Sequence, residues 1–400
     1  MRETAPDDRP VVLTVAGSDS GGGAGVQADV VTATACGAFA TSVVTSVTAQ
    51  NTRGVASTHV LPVAEVRAQL DAVFDDFDVA AVKTGMLATA EMVELVTEYA
   101  RERDVPFVVD PVMVAASGDR LLDPAAESAY ETLLAESAVV TPNAGEATVL
   151  TGVKPESADD LRQVGEELVA SGADAALVKG GHVETDPVRD VLVRRGDDDT
   201  ETDTFTHPRV DTDATHGSGC TLSSAIAAEL AGGATTTAAV DAATDRLARA
   251  VRYPLAVGDG PGAVNHAVEL RDEAAREATR ETLTAVRESS AFQAVGDRVA
   301  AATPYAETVD DVATVTESGV AFGREESLSE TLLAVREGTP ATRVAVGVTP
   351  DVDTGQLRVA DGVATVGAET EVVAVSDGAG PVVLAPDGET ARERLERLGD

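Results

Sequence analysis

The sequence predicts an α/β protein: a doubly wound three-layer α/β/α sandwich around a mostly parallel sheet, with a smaller C-terminal α/β domain behind it. Three observations carry this expectation. Short β-branched runs alternate with amphipathic or Ala-rich stretches through the first two thirds of the chain. Glycines and polar residues gather where those runs end, which is where open parallel sheets place their sites. The length of 400 residues exceeds one typical domain of about 100–200 and suits a larger domain followed by a smaller one.

Taken in order, residues 11–17 form an apolar β-branched run ending at Gly17, followed by a loop from Ser18 to Gly25 and an Ala-rich stretch to Cys36. This reads as strand, loop and helix, the first unit of a parallel sheet. The loop glycines, Gly21 to Gly23 and Gly25, match neither G-x-G-x-x-G nor the P-loop, so no nucleotide is placed there. Further strands are predicted at 41–49, 80–86, 106–110, 139–143 and 175–179, with helices at 63–74 and 90–102 between them. On this arrangement Asp19, Gln50, Met86, Asp110, Asn143, Lys179 and Cys220 fall along one edge of the sheet.

The stretch around which the chain is organised is Asp211-Thr-Asp-Ala-Thr-His-Gly-Ser-Gly-Cys220, followed by a small-residue helical run over 221–230. Gly217, Ser218 and Gly219 clear the space for a backbone to wrap an anion, and the helix that follows points its free N–H groups into the same space. Cys220 sits in the first turn, where the helix dipole is expected to lower the thiol pKa. The alternative is a Gly-rich turn capping an ordinary core helix with an inert cysteine. Another helix is predicted over 235–256, a breaker at 258–262, and a charged connecting helix over 267–288. Acidic residues 196–203 read as a solvated hairpin tip rather than a metal site.

Composition narrows the class of partner. An aromatic share of 3% and no Trp mean that the cores are built from Ala, Val and Leu. A formal charge of −38 argues against nucleic acid and anionic membranes, both of which would repel this surface. The 68 Asp and Glu stand against only three lysines, Lys83, Lys154 and Lys179, and 27 arginines, a balance suited to solution at very high salt. A lysine retained in such a chain is expected to have a task. Two cysteines, Cys36 and Cys220, make no disulfide framework, and no apolar leader or membrane-length run is seen, so a cytoplasmic location is expected.

Seven motifs, in order, resemble the hydroxymethylpyrimidine kinase / phosphomethylpyrimidine kinase family of thiamine synthesis. They are Val15 to Asp29, Ala49-Gln-Asn-Thr-Arg-Gly54, Lys83-Thr-Gly-Met86, Asp110-Pro-Val-Met113, Thr141-Pro-Asn143 with Glu146, Val178-Lys-Gly-Gly-His182 and Thr215-His-Gly-Ser-Gly-Cys220. The resemblance implies the ribokinase fold over residues 9–268 and two successive phosphorylations of 4-amino-5-hydroxymethyl-2-methylpyrimidine by ATP with Mg²⁺. It also implies a homodimer. Gln50 is expected to bind the aminopyrimidine edge, since an amide donates and accepts at once, with Gly17, Asp19, Met86 and Val112 completing the substrate pocket. Asn143 and Glu146 are expected to hold Mg²⁺ and its waters, supported by Asp110. Each acid in isolation reads as a helix cap or a surface charge.

Lys179 is expected to neutralise the transferred phosphoryl group and Cys220 to assist deprotonation of the alcohol, with the amides of Gly217 to Cys220 stabilising the anion. Competing readings are a pyridoxal-type kinase of the same fold and a pyrimidine-sensing regulatory protein. Residues 269–290 are expected to be a helical linker. Residues 291–400 resemble the archaeal-type thiamine-phosphate synthase domain, but they contain no Lys, His or Cys. Where that family has Ser-Ser-His-x-x-Arg, this chain has Glu325-Glu-Ser327 and Glu330, so a degenerate domain is expected.

Overall fold

The computed structural model describes residues 9–113, 127–181, 183, 186–196, 199–316, 319–349, 373–376 and 381–399. His182 and part of the 196–203 tip lie outside them. The chain divides into two compact units, Met1–Val268 and Glu269–Asp400.

The first unit is built on a nine-stranded sheet. Its strands are β1 (Val11–Ser18), β2 (Phe39–Asn51), β3 (Gly54–Val60), β4 (Val79–Thr84), β5 (Phe107–Val109), β6 (Val139–Val140), β7 (Ala175–Val178), β8 (Val188–Arg195) and β9 (Thr200–His207). They lie in the order 3-2-1-4-5-6-7-8-9. Strands β2, β1, β4, β5, β6 and β7 are parallel, whereas β3, β8 and β9 join as antiparallel edges. Edge strands β3 and β9 carry polar, half-exposed sequence and were not legible as strands, whereas β8 between β7 and β9 is mostly buried; the acidic run 196–203 is partly strand β9 rather than tip alone.

Both faces of the parallel strands are buried, which is why they read as continuous apolar runs. Successive residues alternate between two cores: Leu13 and Val15 against Val12 on β1, Phe107 and Val109 against Val108 on β5, Ala176 and Val178 against Ala175 and Leu177 on β7. One core is closed by α2 (Val63–Asp76), α3 (Ala90–Glu102), α4 (Glu127–Leu134), α5 (Ala144–Thr151) and α6 (Ala158–Ala170). The other is closed by α1 (Gly25–Ala35), α7 (Ser218–Ala231) and α8 (Thr236–Arg252). Three layers result, as the sequence predicts. Because β1 lies between β2 and β4, chain direction across the sheet reverses there, and a cleft opens at the carboxyl ends of the parallel strands.

The second unit begins with α9 (Val268–Arg287), whose Leu283 and Val286 are fully buried in that unit's core. It continues through α10 (Ser290–Val295), β10 (Gly296–Ala302), β11 (Val312–Thr316), β12 (Gly319–Phe322), α11 (Ser327–Gly338), β13 (Val344–Val348), β14 (Val373–Ser376), β15 (Pro381–Ala385) and α12 (Gly388–Gly399). The described strands form one sheet, β12-β11-β10-β13-β15-β14, antiparallel throughout. Alternation again feeds two cores: Val299 and Ala301 face α9, α10 and α12, while Ala300 and Ala302 face α11. Among the described residues, no helix is long and apolar enough to cross a membrane.

Candidate active site

A cleft of about 810 Å³ lies along the carboxyl ends of β1, β4, β5, β6 and β7, and every candidate residue named from the sequence lines it. Its floor holds a charged constellation. Asp110, just past β5 and 2% exposed, accepts from Thr141 Oγ1 at 3.2 Å and from the Lys179 ammonium at 3.2 Å. Burial disfavours the Lys179 charge, but Asp110 and Glu146 outweigh it and raise the pKa.

Asn143 and Glu146 do cap α5. Asn143 Oδ1 accepts from the amides of Gly145 and Glu146 at 2.9 and 3.0 Å, and Glu146 Oε2 accepts from the Asn143 amide at 2.8 Å. The same residues line the cleft, so the capping role and a place in the site coexist. Burial pushes the Glu146 carboxyl up to about 7; Lys179 opposes this and Asp110 adds to it. Two carboxylates therefore share one ammonium.

Opposite this floor lies the turn before α7. Gly217 has φ +81°, and a Cβ there would fall 1.9 Å from the Gly23 carbonyl oxygen, so glycine is required. Gly219 is close-packed but less strictly required: its Cβ would stand 3.1 Å from Asp110 Oδ2 and 3.3 Å from Lys179 Nζ. No side chain caps the helix. One expectation is corrected here: the Ser218 amide donates to the Thr215 carbonyl at 3.1 Å, so the cradle is narrower than four residues. The amides of Gly219 and Cys220, in the first turn, have no intrahelical acceptor.

A second correction concerns Cys220. The helix dipole predicts a lowered thiol pKa, yet burial pushes it up to about 11, with Lys83 pulling down and Asp29 and Asp110 pushing up. Desolvation of a thiolate among carboxylates outweighs a half-charge at a helix end.

The Gly-rich loop after β1 is organised by Asp19. Its carboxylate accepts from the amides of Gly21, Gly23 and Ala24 at 2.7, 3.1 and 2.8 Å and lies 3.1 Å from His216 Nε2. Burial raises its pKa, but His216 and the loop amides outweigh this and hold it below the usual range. Amides that could cradle a phosphate are thus occupied from within, consistent with placing no nucleotide on this loop. Gln50 Nε2 stands 3.4 Å from His216 Nε2, and its Oε1 accepts from Thr48 Oγ1 at 3.3 Å. Met86 is buried, and a Cβ at Gly17 would come within 2.9 Å of its Cε and 2.6 Å of Ser46 Oγ, so Gly17 sets the width of that wall. Val112 lines the same wall.

A model of the family described as phosphomethylpyrimidine kinase matches residues 19–265. The chain belongs to that family. The hydroxymethylpyrimidine/phosphomethylpyrimidine kinase of Streptomyces coelicolor is 48% identical over 264 residues, 66% of this chain and 96% of that protein. The thiamine biosynthesis bifunctional protein ThiED of Geobacter sulfurreducens is 44% identical over 273 residues, 67% of this chain and 54% of that one. Among solved structures, the phosphomethylpyrimidine kinase of Clostridium difficile 630 matches with a TM-score of 0.53 at 37% identity, covering 60% of this chain and 98% of that one. An ADP complex of Bacillus subtilis pyridoxal kinase matches with a TM-score of 0.61 at 32% identity, covering 66% and 99%.

The phosphomethylpyrimidine kinase unit holds three site features that the sequence reading left without a role. Lys83 is fully buried and pairs with Asp29 at 2.8 Å beneath the cleft. The scarcity of lysine flagged it, but nothing in the sequence named its partner. His216 lies inside a quoted motif, and only folding brings it to Asp19 and Gln50. At the far end of the cleft His207 lies 3.5 Å from Asp190; this hydrogen bond outweighs burial and raises the imidazole pKa. With five histidines in the chain, two lining one cleft was a signal available only after folding.

Proposed function

We propose that this kinase transfers phosphate from ATP to the hydroxymethyl group of 4-amino-5-hydroxymethyl-2-methylpyrimidine, and then phosphorylates the monophosphate to the diphosphate, in the cytoplasm and as a homodimer. The observation that carries the reading is one cleft lined together by Gly219, Cys220, Lys179, Asp110 and Glu146, with Gly219 packed against Asp110 and Lys179. Gln50 hydrogen-bonds the aminopyrimidine edge, between Met86 and Val112. Lys179 and the cradle amides take up the charge that develops on the transferred phosphoryl group. Cys220 accepts the alcohol proton in the first step, while the phosphate attacked from in the second step is already ionised and needs no base.

Among the described residues no three His, Cys, Asp or Glu could hold a metal unaided. Once Glu146 ionises, two carboxylates face one ammonium and leave net negative charge, which fits a hard cation that keeps its water and shares the ligand phosphates. Asp110, Asn143 and Glu146 would hold Mg²⁺, which supplies neutralisation of the nucleotide phosphates when bound.

A second reading, pyridoxal kinase, is favoured by the TM-score of 0.61 to the Bacillus subtilis enzyme. Incubating the chain with ATP and each substrate separately, and resolving the products over time, decides between them. Sequential mono- and diphosphate from the aminopyrimidine is expected. Turnover of pyridoxal alone would replace the first reading with the second.

A further inference from the structure

Four elements meet at the Asp29 carboxylate on α1, which is 1% exposed. Oδ2 accepts from Thr14 Oγ1 of β1 at 2.6 Å, and Oδ1 accepts from Ser224 Oγ of α7 at 2.9 Å. Both oxygens accept from the Lys83 ammonium of β4 at 2.8 Å. The buried charge is therefore balanced and its lone pairs are filled, the condition under which a buried ion pair is tolerated. Lys83 lies directly under the cleft and lines its floor.

Helix α7 is the element for which such a tie matters. Residues 221–228 are all buried; Leu222 and Ile226 seat in the apolar core, while Ser223, Ser224, Ala225, Ala227 and Ala228 around them are small. Helices take their depth and rotation from side-chain ridges seated in grooves, and a surface of Ala and Ser has little relief. Leu222 and Ile226 hold α7 in its layer, and the small side chains between them constrain its fine rotation and slide less than larger ones would. A hydrogen bond to a charged acceptor is directional and short-ranged, so it removes that freedom. Ser224 lies one turn beyond Cys220, and the Gly219 and Cys220 amides move with it.

We infer that Asp29, charge-balanced by Lys83, is a positioning residue for phosphoryl transfer, because through Ser224 it sets α7 so that the Gly219 and Cys220 amides aim at the transferred group. The inference rests on reading residues 217–220 as the anion cradle. It goes beyond that reading in naming what holds the cradle in place. Both phosphorylations use the cradle, so both should depend on the tie.

The test compares Ser224→Ala with Thr14→Val in the full chain. Each removes one hydrogen bond to the same carboxylate, but only Ser224 connects it to α7. Ser224→Ala should lower kcat for both phosphorylations by roughly 10- to 100-fold, the cost of a small misplacement of catalytic groups, with KM for ATP and pyrimidine unchanged. Thr14→Val should match it in lost thermal stability and keep kcat near the parent value. Equal kcat in the two variants, or a fall in KM terms alone, would overturn the inference. Gly219→Pro, which removes one cradle amide within the first turn of α7 where proline is tolerated, separates the two levels: if it is inactive while Ser224→Ala works normally, only the tie is refuted, and if it too retains full activity, the cradle reading itself falls.

Discussion

The Lys179 ammonium reaches Asp110 Oδ1 at 3.2 Å, although the two residues are 69 positions apart in the chain. Parallel strands β5, β6 and β7 end side by side, so residues just past their carboxyl ends share one pocket floor. Glu146, on the helix after β6, completes the set as a second carboxylate facing a single cation. The charge imbalance has measurable consequences.

The first is a pH dependence of stability. Glu146 holds its proton to about 7 in the folded chain, against 4.5 ordinarily. Between those values the native state binds a proton that the unfolded chain has released, so this group makes stability fall as pH rises, and the penalty is complete above about 7. Glu146→Gln keeps an acceptor for the Asn143 amide and removes the ionisation. Without nucleotide or divalent cation, its Tm should rise relative to the parent as pH passes from 5 to 8. Parallel Tm curves across that range would show that Glu146 is ionised throughout.

Cys220 offers a kinetic counterpart. A thiol pushed up to about 11 is mostly protonated at neutral pH, so a step that uses its thiolate should accelerate roughly tenfold per pH unit above 7 until that value is approached. Phosphorylation of the alcohol should follow this rise, and phosphorylation of the monophosphate should not. Cys220→Ala should lose about 100-fold or more in the first step and much less in the second. Equal losses and equal pH profiles would assign Cys220 to anion binding instead.

Net charge makes a third expectation. With −38 on 400 residues, repulsion between surface carboxylates should grow as salt is diluted and the Debye length lengthens from ~3 Å at 1 M to ~10 Å at 0.1 M. Circular dichroism and activity should both fall on dialysis from molar salt into dilute buffer. A fully folded, active chain in dilute buffer would show that the carboxylate excess is no adaptation to salt.

The second unit is expected not to make thiamine phosphate. Its fold has a packed core, but the first turn of α11, where the resembled family needs cationic and donor groups for phosphates, carries exposed Ser327 and Glu330. Arg324 nearby is paired with Glu326 at 2.9 Å. A carboxylate in place of a cation repels the diphosphate that such a reaction must ionise. Supplying pyrimidine diphosphate and thiazole phosphate to the purified chain should yield no product at a catalytic rate. Formation of thiamine phosphate would show that other residues have replaced the missing His and Arg.

By itself the sequence determined the layer architecture, because runs such as 11–17 and 175–179 are apolar on both sides and only a sheet covered on both faces buries them. It also determined which residues line the cleft. Asp19, Asp110, Asn143, Lys179 and Cys220 each follow a strand or open a helix, and in an alternating fold those positions converge at one edge. What it could not determine were properties of the neighbourhood. The direction of the Cys220 shift depended on how deeply folding buries the thiol and which charges come near. The use of the Ser218 amide depended on where Thr215 turns back. The junction of Thr14, Asp29, Lys83 and Ser224 joins four elements, with the hydrogen-bonded Asp29 and Ser224 alone 195 positions apart, beyond any local pattern. Periodicity reports which face is buried. Only the tertiary structure decides which polar groups meet there, because desolvation and hydrogen bonding depend on distances the chain acquires on folding.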